Sequence, residues 1–134
     1  MSPDRASRVL IDTSAWVDAL RSDGSPEVRE KVRAATIEGT AVLCDMVLLE
    51  LWNGARGDAE GHFLMHLQNE IEIVETSPQV WRSAQELARG CRSQGITIPA
   101  TDLLIAACAR TFGLVLLHND RHFDLLAGDA EPLS

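Results

Sequence analysis

Arg8-Val9-Leu10-Ile11-Asp12-Thr13-Ser14 is the stretch on which the fold turns. Val9 to Ile11 are an unbroken apolar run, which suits a short strand buried on both faces of a parallel sheet. A carboxylate follows at once, and then two hydroxyl residues of the kind that start helices. In open α/β sheets ligands sit beyond the carboxyl ends of the strands, so a strand here delivers Asp12 to a working position. Taken alone, Asp12 reads equally well as the N-cap of a helix starting near Ser14.

The rest of the chain repeats the alternation. Helices are expected over Ser14–Leu20 and Glu27–Glu38, the second opened by Pro26 and closed by Gly39. Thr40–Cys44 reads as a second strand. Asp45 then suits the cap of a helix from Met46 to Arg56 that is apolar nearly all round. Gly57-Asp58 breaks it before a helix over Ala59–Gln68, and Glu70–Thr76 reads as a third strand. Pro78–Arg92 is amphipathic, with Val80, Trp81, Ala84, Leu87, Ala88 and Cys91 along one stripe. A helix over Thr101–Phe112, a fourth strand over Leu114–Leu117 and a short helix over Arg121–Ala127 follow. Such alternation implies parallel βαβ units. The expected fold is one domain over residues 1–134, a three-layer α/β/α sandwich on a parallel sheet of four strands, or five if the chain supplies another. The acidic segment Gly128–Ser134 is expected to be loosely held.

Bulk properties narrow the function. Hydrophobic residues make up 46% of the chain, which excludes a disordered protein. No apolar run approaches the roughly 18 residues that span a bilayer. Met1–Ser7 lacks the apolar segment of a signal peptide, so a cytoplasmic location is expected. Cys44, Cys91 and Cys108 form no Cys-x-x-Cys pair; Cys44 and Cys108 read as small buried hydrophobes. The net charge of -8 disfavours gripping nucleic acid with the whole surface. Carboxylates gathered on a cation would offset part of that charge.

Four acids stand out by context. Asp12 ends the first strand, and Asp120 follows the fourth. Glu50 sits among Val47, Leu48, Leu49, Leu51 and Trp52, where a carboxylate is costly to bury unless it is paired or metal-bound. Asp102 lies in the first turn of an alanine-rich helix, where the helix dipole also favours it. Carboxylates a few ångströms apart repel by roughly 3 kcal/mol per pair at an effective dielectric of about 20, so a cluster of them persists when it has cations to hold. Oxygen-only ligands select Mg²⁺ or Mn²⁺, and ions of that kind in an acidic pocket suit phosphodiester hydrolysis.

Four segments carry a family resemblance: Val-Leu-Ile-Asp-Thr-Ser-Ala-Trp (9–16), Leu-Leu-Glu-Leu-Trp-Asn-Gly (48–54), Pro-Ala-Thr-Asp-Leu-Leu-Ile-Ala-Ala (99–107) and Leu-Leu-His-Asn-Asp-Arg-His-Phe (116–123). In order and spacing the chain resembles the PIN-domain ribonucleases, and more narrowly the VapC-type toxins of bacterial toxin–antitoxin pairs, from about Val9 to Leu126. The resemblance implies a metal-dependent endoribonuclease acting on RNA, usually a homodimer, inhibited by a cognate VapB-like antitoxin. It places the acidic quartet on Asp12, Glu50, Asp102 and Asp120, with Ser14 supporting the pocket by hydrogen bonds. The family often has Thr or Ser where His118 stands, and it usually ends in a fifth strand for which Gly128–Ser134 offers little apolar material.

The remaining polar residues have plainer readings. His118 and Arg121 flank Asp120; either touches substrate phosphate or faces solvent. His62 and His66 read as surface residues, Asp18 as a solvated helix residue and Asp45 as a cap. Asp124, one turn beyond Asp120, is a candidate peripheral carboxylate. Arg82, Arg89 and Arg92 recur on one helix and read as a solvated face. Trp16, Trp52 and Trp81 suit core or subunit interface better than base stacking, because aromatic residues are only 4% of the chain. Rival functions are a PIN-like binding module without activity and a phosphate-accepting signalling domain. The second needs a lysine near the pocket, and Lys31 on a polar helix serves poorly. A haloacid-dehalogenase-like phosphatase would want an aspartate where Ser14 stands.

Overall fold

A computed structural model describes residues 7–126. Its element order is β1 (Val9–Ile11), α1 (Thr13–Leu20), α2 (Pro26–Glu38), β2 (Ala41–Cys44), α3 (Asp45–Asn53), α4 (Gly57–Glu70), β3 (Glu72–Val74), α5 (Pro78–Ser93), α6 (Ala100–Phe112), β4 (Val115–Leu117) and α7 (Arg121–Asp124). The strands form one parallel sheet in the order β3-β2-β1-β4, with helices on its faces. Val9 pairs with Ala41 on one side and Val115 on the other, so β1 is central. The chain moves from β1 out to β2 and β3 and returns to β4 on the opposite side. In sheets of this kind ligands are placed at such a reversal, here beyond the carboxyl ends of β1 and β4.

The buried strands follow from their composition. Every residue of β1 and β2 is buried, as expected for short apolar strands covered on both faces. Helix α6 is buried from Asp102 to Ala109; its small residues Ala106, Ala107, Cys108 and Ala109 leave room for close neighbours on every side. It ends at Gly113, and α2 ends at Gly39, both in the left-handed conformation that a side chain disfavours. Serine caps open α2 and α5, each with proline in the first turn: Ser25 accepts from the Val28 amide and Ser77 from the Val80 amide.

Several boundaries differ from the sequence reading, and each difference has a local cause. Helix α3 stops at Asn53 rather than Arg56, because Gly54 leaves the helical conformation (φ -102°, ψ 9°) after its amide has made the last helical bond, to the Glu50 carbonyl. Asp45 is the first residue of α3, not its cap; Cys44 holds the cap position without a side-chain hydrogen bond. Gly57 begins α4 rather than separating two helices. Strand β3 keeps only Glu72–Val74, since its edge position leaves Glu72 and Ile73 exposed. On α3 only Val47 and Leu51 are buried, while Leu49 and Trp52 face out. On α5 the stripe buries Val80, Ala84, Leu87 and Cys91 but leaves Trp81 and Ala88 exposed. Helix α7 ends at Asp124. Ala127, the tail Gly128–Ser134 and any fifth strand it supplies lie outside the described residues.

Candidate active site

Asp12 leaves the end of β1 with its amide donating to the Leu117 carbonyl at 2.9 Å, which prolongs the β1–β4 pairing by one residue. Its carboxylate caps α1: Oδ2 accepts from the Ser14 amide at 2.9 Å and from Ser14 Oγ at 2.6 Å. Cap and buried acid are therefore the same group. Burial pushes the Asp12 carboxyl above its ordinary range; the bonds from Ser14 oppose that, and the charge of Glu50 adds to it.

Ser14 is a joint between two segments distant in the chain. While its hydroxyl donates to Asp12, it accepts from the Asn119 amide at 2.9 Å. Asn119 Nδ2 donates in turn to Asp18 Oδ2 at 2.6 Å. The loop after β4 is thereby tied to α1, and Asp18, read as a solvated helix residue, is one of the ties. Neither this role nor that of Asn119 was visible in the sequence, because the bonds span about a hundred residues.

Glu50 enters from α3. It is only half-buried, and its Oε1 accepts from Thr13 Oγ1 at 2.6 Å. The expected cost of burying this acid is thus met partly by exposure and partly by a hydroxyl. Thr13 follows Asp12 directly, so the same turn aims both acids.

Asp102 and Asp120 meet on the other side. Asp102, at the start of α6, is 8% exposed. Its carboxyl is pushed up to about 6, first by burial and then by the charges of Asp120 and Asp12, with His122 opposing. Asp120 caps α7, its Oδ1 accepting from the His122 amide at 2.9 Å. That cap folds the His122 ring back over the pocket. Its Nδ1 lies 3.0 Å from Asp102 Oδ2 and 3.1 Å from Asp120 Oδ1. One donor atom from each of Asp102, Asp120 and His122 lies within 4.8 Å of the others.

His122 is the residue that sequence reading missed. A histidine beyond Arg121 reads as solvent-facing unless Asp120 is recognised as a helix cap, whose i+2 amide is drawn to its carboxylate. His118 lies elsewhere than at a phosphate contact. It is buried beneath the loop, its Nδ1 accepting from the Asp120 amide at 3.3 Å and its ring 4.9 Å from that of Phe123. Its role is to hold the backbone that carries Asp120. Asp124 is exposed and 3.9 Å from His118 Nε2, outside the Asp102–Asp120–His122 group. Arg121, Arg82, Arg89 and Arg92 are exposed, as are His62 and His66. Trp16 is buried in the core against Phe63, whereas Trp52 and Trp81 are exposed.

Buried and half-buried acids from β1, α3, α6 and the β4–α7 loop thus surround the carboxyl ends of β1 and β4. Burial and, after it, the charges of Asp120 and Asp12 disfavour the ionised Asp102, and a cation would relieve both; the donors present suit a hard or borderline divalent ion.

Comparison with known proteins finds relatives over nearly the whole chain. A family profile described as "PIN domain" matches residues 9–129. The chain is 33% identical over 122 residues to "VapC ribonuclease Mb1587" of Mycobacterium bovis, covering 89% of this chain and 91% of that one. Among solved structures, VapBC2 from Rickettsia felis bound to a DNA fragment from its promoter superposes with a TM-score of 0.74 at 19% identity, covering 92% of this chain and 96% of that one. VapBC-5 from Mycobacterium tuberculosis, a member of the VapBC family of toxin-antitoxin systems, gives a TM-score of 0.68 at 20% identity, covering 95% and 96%. Both structural likenesses concern the fold.

Proposed function

The chain belongs to the PIN-domain family, and from that premise we propose that it is an endoribonuclease toxin of the VapC type, hydrolysing RNA phosphodiester bonds and neutralised by a cognate antitoxin. The observation that carries the reading is the meeting of Asp102 and Asp120 beside Asp12, where burial first and the neighbouring charges second lift Asp102 to about 6. The ribonuclease name of the Mycobacterium bovis relative supports the same chemistry. No helix among the described residues is long and apolar enough to cross a membrane. We place the protein in the cytoplasm with its RNA.

We assign Asp12, Asp102 and Asp120 to hold the divalent cation, Mg²⁺ or Mn²⁺, with Glu50 completing the acidic wall. When bound, such an ion activates water and stabilises charge on the phosphate and the leaving oxygen. The chain's own residues prepare the place. Ser14 fixes the rotamer of Asp12 through two hydrogen bonds, and Thr13 does the same for Glu50. The Asn119–Ser14 bond keeps the β4 loop, and so Asp120, in register with Asp12. Water is assigned as the nucleophile, since no Ser, Cys or His arrangement here resembles an activated covalent nucleophile.

Cleavage of RNA by the purified chain should require Mn²⁺ or Mg²⁺ and should be poor with Ca²⁺, which prefers longer bonds and looser geometry. Asp12→Asn should abolish it. Full cleavage in excess chelator would refute the metal-dependent reading. An inert wild type that binds RNA would favour a PIN-like module without activity.

A further inference from the structure

The geometry points to His122 Nδ1 as a protein ligand of the divalent cation, which makes the site a mixed nitrogen–oxygen centre. This rests on the ribonuclease reading above and refines it. The expectation from sequence was an all-oxygen set, and the structure puts a ring nitrogen among the carboxylates instead. Nδ1 is 3.0 Å from Asp102 Oδ2 and 3.1 Å from Asp120 Oδ1. In an octahedron with bonds of about 2.1 Å, neighbouring ligands are about 3.0 Å apart. Without an ion the Nδ1–Asp102 contact is a hydrogen bond; an ion would take the place of its proton, and Nδ1 then stands from both oxygens at the separation of adjacent ligands.

The ring is held there for a backbone reason. Asp120 Oδ1 accepts the His122 amide, and this cap fixes the first residues of α7 over the pocket. The ring is 36% exposed on its outer side, so solvent reaches the place from which an ion would enter. His118 does not compete for this role: its Nδ1 is occupied by the Asp120 amide, and its Nε2 lies 3.9 Å from Asp124, outside the Asp102–Asp120–His122 group.

A nitrogen ligand has a chemical consequence. Imidazole suits Fe, Ni, Cu and Zn best and Mn²⁺ only weakly, but Mg²⁺ keeps to oxygen and water, so between these two ions a nitrogen donor favours Mn²⁺. His122 should tilt the site toward Mn²⁺ and away from Mg²⁺.

The test uses metal binding by the full chain, with Mn²⁺ and Mg²⁺ themselves as probes. Mn²⁺ bound to wild type should show nitrogen modulation in its electron spin echo. His122→Asp should still bind Mn²⁺ but lose that modulation. His122→Ala should lose about tenfold in Mn²⁺ affinity, with Mg²⁺ affinity changed less than about twofold. Nitrogen modulation absent from wild type, or persisting in both variants, overturns the assignment. Asp102→Asn separates the two levels of the reading. If Mn²⁺ binding needs Asp102 but is indifferent to His122, only the His122 assignment falls. If Asp102→Asn binds Mn²⁺ like wild type, or wild type binds neither ion, the acidic metal site falls with it.

Discussion

Asp102 carries a charge that its surroundings oppose. Its carboxyl titrates near 3.8 in an unstructured chain and about 6 in the fold. Between those values the folded chain keeps a proton that the unfolded chain has released. Stability therefore falls as pH rises from about 4 to 6, and the whole cost is present above that. The shift corresponds to a penalty on the order of 1–3 kcal/mol near neutrality. In chelator at about pH 7.5, Asp102→Asn should melt higher than wild type. That advantage should shrink as the pH falls through 6 and vanish near 4. Thermal melts across this range decide it, and an advantage independent of pH would show that the gain is not electrostatic. With Mn²⁺ added, the mutant should lose most of the metal-induced rise that wild type shows. Activity and stability pull apart at such sites. All four acids were legible in the sequence because each sits in apolar company or at a strand end. His122 was not, since its position depends on a cap that only Asp120's backbone reveals.

At the scale of elements, the turn between α1 and α2 is held by close packing. A β-carbon on Gly24 would lie 2.2 Å from the Asp18 carbonyl oxygen, which is backbone and cannot step aside. Gly24→Ala should cost about 1–3 kcal/mol and lower the melting temperature by several degrees. Gly90 is the opposite case. It lies within α5 with nothing within 4 Å of an added β-carbon. Gly90→Ala should stabilise by about 0.5–1 kcal/mol. Equal effects from the two substitutions would contradict this account. The same contrast explains what the sequence disclosed about the elements. Strand and helix identities followed from apolar runs, serine–proline starts and glycine ends. Boundaries slipped where tertiary contacts decide: Gly54 ended α3 early, and the edge position of β3 trimmed it to three residues. Periodicity alone placed Trp81 on the buried stripe of α5, but among the described residues it is left 49% exposed.

The whole molecule presents apolar side chains that its own core leaves uncovered. Leu49 is 62% exposed and Trp81 49%, with Trp52 and Ile73 also outside. Should they lie on one face, they would offer an association surface, and we propose them as the place to test the homodimer expected from the family resemblance. Light scattering should give about twice the 14.6 kDa chain mass for wild type. Leu49→Glu combined with Trp81→Glu should yield a monomer that keeps the wild-type circular dichroism. A monomeric wild type, or a double mutant that stays dimeric, would rule these faces out. The net charge of -8 bears on the other partner. A pocket of mutually repelling carboxylates favours a guanidinium, so an antitoxin is expected to gain part of its affinity there and to lose it at high salt.

The central pairing of β1 with β4 also governs when, in the life of each chain, the site comes into being. Val9 waits for Val115, and the hydroxyl of Ser14 waits for the Asn119 amide. On a ribosome Asp12 is made about a hundred residues before Asp120, and over that interval it has no Asp120 beside it. An emerging chain has the first acid but not the pocket. Any chemistry that needs the four acids together therefore begins only after β4 has been made and paired.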